Sequence, residues 1–248
     1  MKIQSYLLLL LITVISCTPE PKETKNNTEQ VEEVDTIEEG LIMRAPCSLA
    51  DSICNAGLVN VQHINDQIKV NLRYSGRNNF LKTDLYGCLE DAYLQKDVAL
   101  MLDKAQQKLT ETDSNLHLMI WDAVRPRSVQ WKMWNVLKMP LAEKVRYVSN
   151  PRNGSIHNYG CAVDLTICYS DGKLMDMGTD FDYFGRAANT RGEYMLVTDT
   201  IITFQQLDNR KVLRKAMKSA GFSIISSEWW HFNAMSRSVA RSRYAIVE

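Results

Sequence analysis

The sequence predicts an α+β fold, a small mostly antiparallel sheet flanked by helices, on three observations. Two long segments, Ala92 to Thr110 and Phe204 to Ala220, repeat apolar residues at helical spacing, whereas Leu116 to Trp121 and Ala162 to Tyr169 read as strands. These patterns follow one another in mixed order rather than in βαβ alternation, which argues against a doubly wound sheet. About 200 residues follow the N-terminal tail, which is enough for one domain with a sizeable core.

Residues 1–16 read as a signal peptide: Lys2, a Leu/Ile run from Leu7 to Ile15, then Ser16-Cys17, too short for a resident membrane helix. Val14-Ile15-Ser16-Cys17 resembles a bacterial lipobox, which implies cleavage before Cys17 and lipid attachment to its thiol. An ordinary secretory signal is the alternative, and both export the protein. Residues 17–45 read as an acidic tether, since positions 18 to 40 hold eight acidic and two basic side chains and almost no large apolar group. The folded domain is assigned to residues 46–248. Its first helix carries Leu94, Val98, Met101, Leu102, Ala105 and Leu109 on one stripe, a packing face. The strand Leu116 to Trp121 follows, with His117 read as a satisfied histidine and not a ligand. Arg127 to Leu137 is predicted helical, with Trp131 and Trp134 as core anchors. Ala162 to Tyr169 ends in the turn signal Ser170-Asp171-Gly172. Phe204 to Ala220 is stopped by Gly221, and Phe222 to Ile225 and Glu228 to Phe232 close the domain as short strands.

Charge and cysteines narrow the setting. Lys+Arg and Asp+Glu both number 29, so bulk charge recommends neither nucleic acid nor an anionic membrane as partner, and any membrane contact would run through the lipid anchor alone. Without Cys17 an odd number of cysteines is left, and Cys47 with Cys54 brackets a short loop as the best candidate disulfide. Cys161 and Cys168 flank Asp164 but are not read as ligands.

Only four histidines occur in the chain, and two fall in Ser155-Ile156-His157-Asn158-Tyr159-Gly160-Cys161-Ala162-Val163-Asp164-Leu165-Thr166 and Glu228-Trp229-Trp230-His231-Phe232. Two imidazoles and two carboxylates are the inventory of a catalytic zinc site, with His157, Asp164 and His231 as ligands and Glu228 as unligated general base. The plainer alternative has His157 capping a turn, Asp164 opening a hydrogen-bonded corner and His231 satisfied in the core. On a regular strand Glu228 and His231 would face opposite sides, so either the strand bulges or the base reaches in from the preceding turn.

Ser-x-His-x-x-Gly-x-Ala-Val-Asp-Leu-Thr followed by Glu-Trp-Trp-His resembles the zinc D-alanyl-D-alanine dipeptidases. The likeness extends to Trp121-Asp122-Ala123-Val124-Arg125-Pro126, to Met177-Gly178 with Phe181-Asp182, and to Tyr74 with Asn79-Phe80. It implies a Hedgehog/DD-peptidase-like fold, one zinc ion per chain and a small dipeptide substrate. It also implies catalytic Arg125 aimed at the developing oxyanion, whose alternative is a surface salt bridge with Asp122. Asp182 would take the substrate ammonium, and Ser155, Tyr74 and Tyr86 the substrate carboxylate. Ala123-Val124 departs from the usual glycine and aromatic pair, and the loop from Phe80 to Tyr86 is shorter than in the family. The reading is therefore an exported, lipid-anchored zinc dipeptidase on the periplasmic side, serving wall turnover or dipeptide recycling. Its rivals are a zinc D,D- or L,D-carboxypeptidase acting on longer wall peptides, and a non-catalytic wall-binding lipoprotein that keeps zinc as structure.

Overall fold

The computed structural model describes residues 46–248, so the expected signal peptide, tether and lipid-bearing Cys17 lie outside the described residues. In chain order the elements are α1 (Ser48–Asn55), β1 (Val59–Asn60), β2 (Lys69–Val70), β3 (Tyr93–Leu94), α2 (Lys96–Thr110), β4 (Leu116–Asp122), α3 (Arg127–Val136) and α4 (Leu141–Lys144). They continue with β5 (Ala162–Tyr169), α5 (Glu193–Thr198), α6 (Phe204–Ser219), β6 (Ser223–Ile224), β7 (His231–Asn233) and α7 (Arg237–Arg243). The fold is α+β. Five strands in the order β2-β4-β5-β7-β6 form the main sheet, in which only β2 with β4 is parallel. β1 and β3 pair separately.

β5 is central because its burial is nearly unbroken from Ala162 to Cys168, as expected of a strand covered on both faces. α2 packs on β4 through Val98, Leu102, Ala105 and Leu109, all fully buried. α6 begins at Thr203, whose hydroxyl accepts the Gln206 N–H while the Gln206 side chain accepts the Thr203 N–H, and it ends before Gly221 at φ +96°.

Three expectations need correction. α2 starts at Lys96, not Ala92, because Tyr93 and Leu94 are drawn into a strand against β1. Trp131 and Trp134 are only half-buried; Val129 and Met133 anchor α3 instead, and Trp134 lies under the Lys144 ammonium at 5.1 Å. Cys47 pairs with Cys88, with Cα atoms 5.5 Å apart, not with Cys54. Cys47 caps α1 and Cys54 lies seven residues along it, about 10 Å of helical rise, beyond the reach of a disulfide. Cys54, Cys161 and Cys168 are free.

Candidate active site

Register brings the acidic residues of the site together. Across three neighbouring strands Asp122 faces Asp164 and Asp164 faces His231, with a shift in the β4–β5 pairing just before Asp122. His157 enters from a 3₁₀ turn, Ile156–Tyr159, that closes on Gly160 in the left-handed region at φ +65°. The turn is held by Asn158, whose side-chain oxygen accepts the Ser155 N–H and whose amide nitrogen donates to the Arg125 carbonyl and to Gln130 Oε1.

The tautomers of the two histidines follow from their outer partners. His157 Nδ1 lies 2.7 Å from the Ala123 carbonyl oxygen, which can only accept, so Nδ1 carries the proton and Nε2 is left as a lone pair. His231 Nε2 lies 2.9 Å from Asn233 Oδ1, which assigns its proton in the same way and frees Nδ1. His157 Nε2, His231 Nδ1 and Asp164 Oδ1 then converge at 3.2, 2.8 and 3.5 Å from one another. Ligands about 2.0–2.1 Å from a tetrahedral zinc lie about 3.3 Å apart, so this donor set fits such an ion. Three lone pairs meeting here need a positive charge between them, which a metal ion supplies or, without one, a proton on His231 Nδ1 donated to Asp164. Burial pushes the Asp164 carboxyl up, but His157 and His231 outweigh it and hold it well below the usual carboxylate range. Burial pulls His231 down, yet the Asp164 hydrogen bond and charge carry it up to about 8, so metal binding there displaces a proton.

Around this centre lies a cavity of about 260 Å³ lined by Tyr74, Arg125, Ser155, Asp182 and Glu228 besides the three converging side chains. Ligand pockets for drug-sized molecules run to about 300–1,000 Å³, so the space suits something smaller. Glu228 is in the turn preceding β7, which starts only at His231; of the two geometries open to the sequence, the fold adopts the reach from the turn. Burial pushes the Glu228 carboxyl up, with His231 opposing. Arg125 is tied through Nε to Asp122 Oδ2 at 3.0 Å and by a second, shorter bond from Nη2, and its guanidinium lies 5.1 Å over the Tyr74 ring. The pair with Asp122 thus exists, but it is not on the surface: Asp122 is fully buried and Arg125 faces the cavity.

The remaining predicted residues divide. Asp182, at φ +58°, accepts the Tyr74 hydroxyl at 3.0 Å, and burial followed by the Asp164 charge pushes its carboxyl up to about 8. Ser155 lines the cavity while its hydroxyl donates to Gln130 Oε1 at 2.9 Å. Tyr86 is not in the cavity lining; its hydroxyl donates to Asp122 Oδ1 at 2.5 Å, behind Arg125. His117 is remote, with Nε2 on Ser170 Oγ at 3.1 Å and Nδ1 buried without a partner. Sequence reasoning missed Asp122 as the residue that orients Arg125, although the three-residue spacing was the available signal. It also missed Asn79, whose amide nitrogen sits 2.8–3.0 Å from the Arg73, Gly76 and Thr83 carbonyls and shapes the loop after Tyr74.

Comparison with known proteins agrees with this geometry. Over 178 residues the chain is 31% identical to a D-alanyl-D-alanine dipeptidase of Escherichia coli, covering 71% of this chain and 83% of that protein. Over 151 residues it is 29% identical to a D-alanyl-D-alanine dipeptidase of Enterococcus faecalis, covering 55% and 70%. A third, from Enterococcus faecium, is 30% identical over 129 residues, covering 46% and 60%. Residues 54–247, which include every element from β1 to α7 and all the cavity side chains, match the peptidase M15 family described as D-ala-D-ala dipeptidase, and to that family this chain belongs.

Proposed function

We propose that this chain is a zinc-dependent dipeptidase that hydrolyses D-alanyl-D-alanine or a similarly small D,D-dipeptide, on a Hedgehog/DD-peptidase-like fold. The observation that carries the reading is the convergence of three lone-pair donors inside a 260 Å³ cavity that also holds Glu228, Arg125 and Asp182. When bound, zinc supplies a Lewis acid that polarises the substrate carbonyl and makes water acidic enough to attack near neutral pH. His157, Asp164 and His231 hold it.

Glu228 is the base. Its raised affinity for protons, caused by burial, lets it take the proton of the attacking water and return it to the leaving amine. Arg125 points its fixed charge at the oxygen that becomes negative, and the buried Asp122 prevents it from swinging away. Asp182 takes the substrate ammonium and gives up its own proton as it does so, since a charge left unpaired there is costly. Tyr74 orients Asp182 by hydrogen bond rather than meeting a carboxylate directly. Ser155 contacts substrate only by rotating away from Gln130.

Residues 1–45 support export and anchoring through Cys17, with the catalytic domain on the periplasmic side of a bacterial membrane and wall turnover or dipeptide recycling as its setting. Among the described residues no helix is long and apolar enough to cross a membrane.

The test is hydrolysis of D-alanyl-D-alanine by zinc-loaded protein beside L-alanyl-L-alanine and a wall pentapeptide. Release of D-alanine from the dipeptide is expected. The Glu228→Gln variant should lose about 10²–10⁴-fold in kcat while keeping its zinc. Cleavage of the pentapeptide alone would replace this reading with a carboxypeptidase, and zinc binding with no cleavage of any of the three would replace it with a binding protein.

A further inference from the structure

A second cleft, of about 390 Å³, lies beside the catalytic one, and its lining alternates in sequence with that of the active cavity: Arg73 precedes Tyr74, Asp180 precedes Asp182 by two, and Trp229 follows Glu228. Arg73 is nine-tenths buried there, its guanidinium 5.1 Å over the Trp121 ring. Among the described residues it donates no side-chain hydrogen bond. Its ion-pair partner, Asp180 Oδ1, is 3.6 Å from Nη2, too long for a hydrogen bond, and already accepts the Phe181 N–H at 2.8 Å.

Four buried side-chain polar atoms lack a partner among the described residues, and three of them, Arg73 Nε, Trp121 Nε1 and Thr166 Oγ1, belong to side chains lining this cleft. Buried polar groups are almost always satisfied, so the wall of this cleft is left with polar atoms that a water or a ligand must meet. Arginine and an indole N–H only donate, so the missing group is an acceptor, and a guanidinium fork selects a carboxylate. A bare anion, however, would meet the exposed carboxylates of Asp176 and Asp180 at the rim. A ligand that brings its own ammonium turns that repulsion into attraction. In a free amino acid one carbon separates the two charged groups, which suits the 3.6 Å between Arg73 and Asp180. Leu174 and Met175 offer an apolar wall for a short side chain.

We propose that this cleft binds a small zwitterionic amino acid, with Arg73 taking the carboxylate and Asp180 the ammonium. The experiment is calorimetric titration of the full-length protein with D-alanine, and with acetate and methylammonium as single-charge probes. Saturable D-alanine binding in the millimolar range is expected, weakened at least about tenfold in Asp180→Asn and in Arg73→Gln and retained in Asp182→Asn, which alters only the catalytic cavity. Asp180 is mostly exposed, so its replacement tests the site even where the Arg73 variant folds poorly. Binding lost in Asp182→Asn and unchanged in Asp180→Asn would assign D-alanine to the catalytic cavity and overturn the proposal. No saturable binding would leave the cleft to water, and acetate binding as tightly as D-alanine would make it an anion site; either result overturns it too.

Discussion

At the residue scale, Asp182 combines three unfavourable features: a left-handed backbone, partial burial, and an Asp164 carboxylate close enough to matter. Asp is among the few residues that tolerate this backbone, which leaves burial as the main cost. A carboxyl raised from 3.8 to about 8 binds its proton more tightly in the folded state. Its contribution is therefore fully favourable at low pH and is lost as pH rises between those values. Asp182→Asn should raise Tm at pH 8, the gain should vanish near pH 4, and KM for the dipeptide should rise because the ammonium loses its partner. A Tm difference that does not change with pH would show that the carboxyl stays ionised throughout.

Tyr86 belongs to the same scale. Tyr86→Phe leaves Asp122 Oδ1 without its donor in a fully buried position, an expected loss of about 1–3 kcal/mol in chemical denaturation. KM should stay nearly constant, since the ring is outside the cavity lining. A raised KM with unchanged stability would return Tyr86 to direct substrate contact.

At the element scale, the turn that carries His157 depends on Gly160. A Cβ there would lie 2.7 Å from Leu58 Cδ2 and 3.2 Å from the Gln95 backbone nitrogen, on a backbone at φ +65°. Gly160→Ala should cost about 1–3 kcal/mol and, by shifting His157, weaken metal affinity as well. Zinc titration against a competing chelator reads the second effect; stability lost with affinity unchanged would show that the turn yields without moving the ligand. α6 serves the opposite wall. Its Arg210 donates to the Met177 and Ala187 carbonyls, on either side of Asp182, and stacks 5.5 Å over Trp229, the neighbour of Glu228. A buried guanidinium with two carbonyls and Glu193 for partners fixes a loop that has no regular structure of its own.

At the scale of the whole molecule, a disulfide and the proposed metal site tie distant parts of the chain. The Cys47–Cys88 disulfide closes a 41-residue separation, and chain entropy alone assigns it about 4 kcal/mol. Reduction, or Cys88→Ser, should lower the denaturation midpoint by a comparable free energy; an unmoved midpoint would refute the pairing. The proposed metal site draws on the turn after α4, on β5 and on β7, so chelation of the zinc-loaded protein should lower Tm by an amount that grows with the logarithm of zinc affinity.

What the sequence determined by itself is what local chemistry writes directly: apolar spacing marked α2, α3, α6, β4 and β5, and the clustering of rare histidines with carboxylates marked His157, Asp164, His231 and Glu228. The helices and strands depend on neighbours within a few positions, whereas the four site residues, in two segments far apart in sequence, stood out as a set and through motif resemblance. Tertiary structure decided what depends on distance in space. Cys47 found Cys88 because a helix holds Cys54 too far along its axis, and two residues expected to open α2 went to a strand because β1 was there to pair with them. Asp122 became the anchor of Arg125, and Tyr86 was turned toward Asp122 rather than the cavity, because burial leaves a carboxylate no water to satisfy it, and only the packed fold shows which donors come within reach.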